Sequence, residues 1–477
     1  MIHVDYDVKK RKGIIQGEYF DVIREYFSVD NPAARFLKHR RFIPRRLYAI
    51  TPTGQFDIGL VGELQKFLVE RDIVTELQLS PAAQKILYPG NKTQHVEPLN
   101  IPLRDYQTTA IQQCVAAGRG VVLLGTGAGK TLTCATLIEN YYRDHDRDVF
   151  KCLVIVPDLG LVNQTYNDFI EYQVSFKLTR WTGSITPDLT SNVIIANTAI
   201  LQSKFDDNEW LRHVDVVIVD ETHKAGKGTG LSKILYQINT PHKFGFTGTL
   251  PEDRMNRWNI LGKIGPVLIE KSSYDLRSEN YLANVEVKMM QIQYKTQPPK
   301  ILVKEHATQA YQQELEFIYN NTFRNRVIQT MCSNFNNNIL VLVNHIEHGE
   351  AMTSCLSNLT NKQVFFIRGE VEVEDRDQVK HIMEQHNNVV CVAISSIFST
   401  GVNIKNIHMI IFAAGGKSFI RTVQSIGRGL RLHPTKENLT IIDVADALEY
   451  GTKHATRRQE IYQTEQINYT THKIIEK

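Results

Sequence analysis

The sequence predicts an α/β protein with two consecutive, doubly wound parallel sheets and a smaller α/β unit in front of them. From about residue 99 onward, short apolar runs alternate with stretches of helical spacing, which is typical of parallel strands covered by helices on both faces. The apolar runs are nearly continuous, as expected of strands that are buried on both faces. They form two sets of five, and we therefore predict domains at residues 1–98, 99–282 and 283–477.

The predicted strands are as follows. The first set is Gly120–Leu124, Lys151–Val156, Asn192–Ala196, Val214–Val219 and Lys243–Thr247. The second set is Asn338–Val343, Gln363–Ile367, Val389–Ile394, His408–Phe412 and Leu439–Asp443. In the smaller unit, residues 13–16 and 46–51 are predicted strands, and residues 62–70 have the spacing of a helix with Leu64, Phe67 and Leu68 on one face.

The composition is that of an ordinary globular protein, with 42% hydrophobic and 22% charged residues. There is no run of about 18 apolar residues, and the charged residues 9–12 are not followed by an apolar segment, so we expect neither a membrane span nor a secretory signal. The six cysteines are scattered without a C-x-x-C pair, which favours buried reduced thiols over a zinc site or disulfides. These features predict a cytoplasmic protein.

A glycine-rich segment follows the first predicted strand and precedes a stretch of helical spacing. It consists of Gly125, Thr126, Gly127, Ala128, Gly129, Lys130 and Thr131. Glycines allow successive N–H groups to curl around phosphate oxygens, and the N-terminus of the helix adds positive potential. We expect Lys130 to contact the β and γ phosphates of a nucleotide and the Thr131 hydroxyl to help hold Mg²⁺. The strict pattern has glycine where this chain has Leu124, so an ordinary glycine turn is the alternative.

Two adjacent acids, Asp220 and Glu221, end the fourth predicted strand. Ligand sites of parallel α/β sheets lie at the carboxyl ends of the strands, and two acids after a buried strand are costly unless they bind a metal or a partner. Asp220 is therefore a candidate Mg²⁺ ligand, and Glu221 is a candidate to orient and deprotonate the attacking water. Together with the lysine loop they predict a site for ATP or another nucleoside triphosphate.

A basic segment late in the second set begins at Gln424 and includes Arg428 and Arg431. Residues three apart share a face of a helix, and guanidinium groups can stabilise charge on a γ-phosphate during its transfer. We therefore expect the second lobe to complete the nucleotide site with these arginines, and a basic surface helix is the alternative.

A second basic segment lies in the smaller unit, although the formal net charge of the chain is only +4. Residues 35–46 contain six arginines and lysines and no acid, with Phe36 and Phe42 between them. Such a segment can neutralise nucleic-acid phosphates and release their counterions. The candidate contacts are Arg40, Arg41, Arg45 and Arg46, and a solvated face with two core anchors is the alternative.

Taken in order along residues 100–450, these motifs resemble those of superfamily 2 helicases of the DExH type. The phosphate loop, Asp220-Glu-Thr-His223 and Gln424–Arg431 look like motifs I, II and VI of that family, and Arg104-Asp-Tyr-Gln107 is similar to its adenine-reading element. The resemblance implies two RecA-like lobes that share one ATP and its Mg²⁺, with Gln424 among the ATP contacts and Arg428 and Arg431 in the second half of the site.

The resemblance also implies residues that couple ATP hydrolysis to movement along a nucleic acid. By their places in the family's motifs, the candidates for coupling are His223, Thr247, Thr249 and Gly401, and the candidates for sequence-independent nucleic-acid contact are Thr198, His345, Ser399 and Thr400. For each threonine or serine, a loop hydroxyl that caps the backbone is the alternative.

Within the family the chain resembles the phage UvsW-type branched-DNA helicases. The resemblance lies in the small N-terminal unit, in residues 56–64 and in the phrases at 398–402 and 422–428. It implies a monomeric motor in a bacterial host cytoplasm that acts on forks, Holliday junctions or R-loops, with branched or single-stranded DNA, and RNA–DNA hybrids, as partners. An RNA helicase, a double-strand translocase subunit of a restriction or repair complex, and a nucleotide-gated binding module remain alternatives.

Overall fold

The computed structural model describes residues 1–31, 34, 44–90, 96–204, 210, 213–296, 298, 307–368, 373–395, 404, 406–413, 438–464 and 466–477. The chain divides into two compact units. The first comprises Met1–Gly125 and Gly129–Ser272, and the second comprises Thr126–Ala128 and Ser273–Lys477.

The first unit begins with a four-stranded sheet in the order β5-β2-β1-β6. Its strands are β1 (Ile2–Asp7), β2 (Lys12–Gly17), β5 (Gln55–Phe56) and β6 (Leu77–Leu79). Between β2 and β5 in the sequence, β3 (Ser28–Asp30) and β4 (Arg46–Tyr48) form a separate two-stranded sheet. The helices of this region are α1 (Phe20–Tyr26), α2 (Val61–Glu70) and α3 (Pro81–Leu87). Leu64, Phe67 and Leu68 are buried on α2, which confirms the helix predicted from their spacing.

A seven-stranded sheet in the order β13-β7-β12-β11-β8-β10-β9 forms the rest of the first unit, and every pair in it is parallel. The strands are β7 (Gly120–Leu124), β8 (Cys152–Val156), β9 (Leu178–Trp181), β10 (Val193–Asn197), β11 (Val216–Asp220), β12 (His242–Thr247) and β13 (Val267–Lys271). The helices are α4 (Asp105–Ala117), α5 (Lys130–Asp144), α6 (Leu159–Glu171), α7 (Thr198–Lys204), α8 (Gly230–Gln237) and α9 (Arg254–Ile264).

The two sheets of the first unit share one hydrophobic core. Phe27, which follows α1, is fully buried, and its ring lies 5.1 Å from that of Trp258 on α9. At Gly59 the backbones are so close that a Cβ atom would lie 2.3 Å from the carbonyl oxygen of Leu261. Burying a side chain such as Phe27 contributes about 1.5–3 kcal/mol, so these contacts fix the N-terminal region firmly to the larger sheet.

The second unit contains another all-parallel, seven-stranded sheet, in the order β16-β17-β15-β18-β19-β14-β20. Its strands are β14 (Asn284–Gln293), β15 (Ile339–Val343), β16 (Gln363–Ile367), β17 (Val389–Ile394), β18 (Met409–Phe412), β19 (Asn438–Asp446) and β20 (Tyr469–Ile475). Its helices are α10 (Ser273–Ser278), α11 (Ala307–Asn320), α12 (Thr322–Ser333), α13 (Ile346–Leu356), α14 (Val373–Gln385) and α15 (Glu449–Thr464).

A buried ion pair fixes α12 to the end of β19. Arg324 is fully buried; its Nε donates to Asp446 Oδ1 at 2.8 Å and one of its terminal nitrogens donates to Asp446 Oδ2 at 3.2 Å. The same nitrogen donates to the carbonyl oxygen of Ala413 at 2.8 Å, and the Tyr294 hydroxyl donates to Asp446. This carboxylate therefore connects elements that are far apart in sequence.

All ten strands predicted for the two large sheets are confirmed, and the predicted two-lobed α/β class with them. Strands β1, β3, β5, β6, β9, β13, β14 and β20 were not predicted from the sequence. Strands β9, β13 and β20 carry mostly half-buried or exposed residues, so they lack the continuous apolar run by which the others were found. The six cysteines are free and five of them are buried, as expected. Within the described ranges no helix combines the length and apolarity that a bilayer span needs.

Candidate nucleotide-binding and coupling site

The candidate catalytic residues lie where three neighbouring strands end. Strands β7, β12 and β11 are adjacent and parallel, so their carboxyl ends lie on one edge of the sheet. In register, Thr247 pairs with Leu123, and Asp220 pairs with Phe246. The fold therefore brings the glycine-rich loop, Thr247 and the two acids together at the edge where parallel α/β sheets bind ligands.

The glycine-rich loop has the backbone of a phosphate-binding loop. Gly127 and Gly129 have φ angles of 85° and 77°, which favour glycine, and α5 begins directly afterwards at Lys130. The Lys130 Nζ donates to the carbonyl oxygen of Leu124 at 3.3 Å. The ammonium group thus lies across the start of the loop, where phosphate oxygens can replace the carbonyl as its acceptor.

Gln107 connects the predicted adenine-reading element to this loop. Its Oε1 accepts the Arg104 backbone N–H at 2.9 Å, while its Nε2 donates to the carbonyl oxygen of Gly129 at 3.4 Å. A Cβ atom at position 129 would lie 2.5 Å from that Nε2. Gln107 is buried, and the Arg104 guanidinium donates to the Tyr106 hydroxyl at 2.9 Å. The nucleotide-binding candidates therefore form one connected set, with Gln107 as a positioning residue for the loop.

The second acid is held in an uncommon backbone conformation. Glu221 has a φ of 50°, and its N–H donates to Asp220 Oδ1 at 2.9 Å. Burial by itself would raise the pKa of Glu221, but the hydrogen bond from His223 and the positive charges of Lys130, His223 and Lys224 outweigh it and lower the pKa to about 2. The carboxylate is therefore ionised at any physiological pH, as a group that orients an attacking water must be.

His223 joins the acidic strand end to the next strand. Its Nδ1 lies 3.1 Å from Glu221 Oε2 and 2.9 Å from Thr247 Oγ1. Because the Thr247 hydroxyl donates to the carbonyl oxygen of Thr249 at 3.1 Å, it accepts from His223, and Nδ1 carries a proton. These contacts join the Glu221 carboxylate through His223 to the loop after β12, and a coupling role for these residues stays a prediction.

One contact in this site was not predicted. Thr222 is fully buried, its hydroxyl donates to the carbonyl oxygen of Val219 at 3.3 Å, and a Cβ atom at Gly245 would lie 2.5 Å from that hydroxyl. Gly245 thus leaves room for Thr222 against β12 and positions the two acids before it. The signal in the sequence was a lone glycine inside a buried strand, which often marks a close approach.

The donors suit a hard cation. Thr131 and Asp220 offer a hydroxyl and a carboxylate oxygen, and Mg²⁺ is typically held by one or two protein oxygens together with waters and substrate phosphates. In the part of the chain that the structure describes, no group of three or more His, Cys, Asp or Glu residues could hold a metal by itself. Thr131 and Asp220 therefore fit Mg²⁺ that is bound together with a nucleotide.

The remaining predicted residues have different surroundings. Thr198 begins α7 directly after β10, at the same edge of the sheet as the acids, and His345 is exposed in front of α13. Arg45 is exposed, whereas Arg46 forms an ion pair with Glu25 on α1. Arg40, Arg41, Ser399, Thr400, Gly401, Gln424, Arg428 and Arg431 lie outside the described residues.

Comparison with known proteins matches this arrangement in both halves of the chain. Residues 100–252 match the family model "Type III restriction enzyme, res subunit", and residues 323–433 match "Helicase conserved C-terminal domain". The ATP-dependent DNA helicase uvsW of Enterobacteria phage T4 is 26% identical over 94% of this chain and 94% of its own length.

Two solved structures have the same fold. The DNA-bound restriction-modification enzyme LlaBIII has a TM-score of 0.59 at 15% identity, over 85% of this chain and 34% of that one. The helicase domain of Hef from Pyrococcus furiosus has a TM-score of 0.50 at 15% identity, over 75% of this chain and 98% of that domain.

The first parallel sheet carries the glycine-rich loop with Lys130 and ends one strand in two acids, and a second parallel sheet follows it. This arrangement is typical of two-lobed, nucleotide-driven motors. Both domain matches and the relative aligned over 94% of the chain show an ATP-hydrolysing helicase, and the chain resembles the phage UvsW type.

Proposed function

We propose that this chain uses ATP hydrolysis to unwind or remodel branched DNA, such as forks, Holliday junctions and R-loops. The observation that carries the proposal is the series of contacts from Glu221 through His223 to Thr247, beside the charge of Lys130, which helps to lower the pKa of Glu221. DNA as the substrate is supported by the relative named a DNA helicase, which matches along 94% of the chain. The preference for branched DNA rests on the resemblance of residues 56–64, 398–402 and 422–428 to the UvsW-type helicases.

The chain's own residues would act as follows. The loop N–H groups and Lys130 bind the phosphates, and Gln107 fixes the loop to α4. Glu221 orients the attacking water, and His223 transmits a change at this carboxylate to Thr247. Asp220 and Thr131 would hold Mg²⁺, which neutralises charge on the β and γ phosphates when bound. Arg428 and Arg431 are proposed to supply the positive charge of the second lobe.

The decisive experiment measures ATP hydrolysis on single-stranded, duplex, forked, four-way and R-loop substrates and on RNA. We expect forked and four-way DNA to stimulate hydrolysis more than linear duplex or RNA does. Lys130→Ala should lower the rate by about 10²–10³-fold or more while leaving DNA binding largely intact. Lys151→Ala is the matched control, because Lys151 also donates to backbone carbonyls in this unit but lies away from the site. Near-normal hydrolysis in Lys130→Ala would refute the assigned nucleotide site.

The match of residues 100–252 to a restriction-enzyme subunit favours a second candidate, translocation along duplex DNA without strand separation. Displacement of a third strand from a triplex, with no unwinding of a fork, would identify it. Unwinding of forks at a rate comparable to hydrolysis would exclude it.

A further inference from the structure

A small polar cavity lies where the N-terminal region meets the larger sheet of the first unit, away from the nucleotide site. Its volume is about 40 Å³, and it is lined by fourteen residues. Four of them are basic, namely Arg11, Arg119, Lys243 and Lys263, and among these described lining residues Asp57 is the only carboxylate. Arg119 and Lys243 are 3% and 8% exposed, so the charge lies largely out of water.

The single carboxylate is already neutralised by two lysines. The Lys12 Nζ donates to Asp57 Oδ1 at 2.5 Å, and the Lys263 Nζ donates to Oδ2 at 2.6 Å. Burial by itself would raise the pKa of Asp57, but these two lysines outweigh it and lower that pKa. Among the described contacts, Asp57 therefore pairs directly with Lys12 and Lys263 and not with Arg11, Arg119 or Lys243.

Within the described residues, the hydrogen bonds of the other three cations go to backbone carbonyl oxygens. Arg119 donates to Ile264 and Lys263, at the end of α9, and to Ile86. Lys243 donates to Leu235 and Ile238 at 2.7 Å each, and Arg11 donates to Tyr236 and Gln237. These contacts cap the C-termini of α3, α8 and α9, each of which carries about half a negative charge. Three helix ends and Asp57 do not balance the five basic side chains Arg11, Lys12, Arg119, Lys243 and Lys263, so the cavity keeps an excess of positive charge.

The electrostatics of the lining groups agree with this count. Burial, together with the charges of Arg119, Lys263 and Arg11, lowers the pKa of Lys243 to about 7, and the charge of Asp57 opposes them. Burial likewise lowers the pKa of Arg119 to about 10, with Tyr6 and Asp57 opposing. Unbalanced buried charge is costly unless a counter-charge is present.

We propose that this cavity binds one small inorganic anion of halide size, which holds the N-terminal region against the motor sheet. A water molecule needs about 10–15 Å³ of cavity volume. The cavity volume of about 40 Å³ therefore admits a chloride or bromide ion together with a water molecule, but no nucleotide. The anion would accept hydrogen bonds from Arg119, Lys243 and Arg11, which line the cavity, and it would join α8, α9 and the β1–β2 turn through one centre.

The test is thermal unfolding of the full chain in sodium bromide and in sodium gluconate at equal ionic strength, because gluconate is too large for the cavity. All three tryptophans, Trp181, Trp210 and Trp258, belong to the first unit, so their fluorescence reports on it. We expect bromide to raise the midpoint by about 2–4 °C, with a larger rise below pH 7, where Lys243 is protonated.

The variants separate this site from general salt effects. Lys243→Met should abolish the bromide effect, and Lys151→Met, which removes an amine bound to carbonyls elsewhere in the same unit, should keep it. If Lys243→Met does not fold, Arg11→Gln, at the partly exposed side of the cavity, serves as the second variant. Equal midpoints in bromide and gluconate, a bromide effect that survives in the variants, or stronger stabilisation by phosphate than by bromide would each overturn the proposal.

Discussion

The buried pair of Arg324 and Asp446 gives the sharpest stability prediction. In Asp446→Ala the guanidinium of Arg324 would stay fully buried but would lose its carboxylate partner. Of the contacts described above, the carbonyl oxygen of Ala413 and the nearby Tyr294 hydroxyl would remain. Removing one partner of a buried pair typically costs 3–5 kcal/mol, because the remaining charge stays buried without compensation. We therefore expect the free energy of unfolding of the second unit to fall by about 3–5 kcal/mol.

Hydrogen exchange followed by mass spectrometry is the suitable assay, since no tryptophan lies in the second unit. Peptides from β14 and β19 should lose protection, while peptides from the first unit should not change. The control is Glu350→Ala, which breaks an ion pair with Arg368. The side chains of Arg368 and Glu350 are 41% and 56% exposed, so this change should lower the free energy of unfolding by less than about 1 kcal/mol.

A double variant tests whether the charge, rather than the packing, is responsible. Arg324→Met combined with Asp446→Leu should recover most of the lost stability, because a buried ion pair can often be replaced by apolar side chains. A loss below about 1 kcal/mol in Asp446→Ala, or a double variant no better than the single one, would refute the reasoning.

Three further predictions concern the first unit. His223→Ala removes the hydrogen bond that lowers the pKa of Glu221, so this pKa should rise and the acid limb of the pH–rate profile of ATP hydrolysis should move to higher pH. The pKa of Lys243 is lowered to about 7, so between pH 7 and 10.5 the unfolded chain binds a proton that the folded chain does not. The free energy of unfolding in gluconate should therefore rise with pH over this range, by at most roughly 5 kcal/mol. Lys243→Met should remove this pH dependence. Phe27→Ala should cost about 3–5 kcal/mol and expose Trp258, seen as a red shift of its fluorescence in urea titrations.

The sequence predicted those features of the structure that are marked by a pattern of neighbouring residues. The strands next to the nucleotide site were found because each is a continuous apolar run, and the loop and the acids because glycines and carboxylates are unusual after buried strands. Strand β20 has side chains that are mostly exposed, so no hydrophobic pattern could reveal it. The contacts of Gln107 with Gly129 and of Thr222 with Gly245 join segments about twenty residues apart. Gly245 indicates a close approach, but nothing in its strand identifies Thr222 as the partner.

The basic segment of the N-terminal region shows a different limit. The segment contains no acid, but Glu25, which lies in an earlier helix, pairs with Arg46. The charge available for DNA is therefore smaller than the sequence suggests, and replacing Arg45 should reduce the salt dependence of DNA binding more than replacing Arg46. Measurement of binding against salt concentration for the two single variants would decide this.

The close backbone contact at Gly59 has a consequence for how this chain can change over time. A region attached to a motor by a linker can be exchanged for another by recombination, but here any replacement must present a glycine-sized surface to Leu261 and an aromatic ring to Trp258. The N-terminal region and the sheet behind it are therefore expected to be inherited as one piece, and a chimera that joins them from distant relatives should fold only when both sides of this contact come from the same parent.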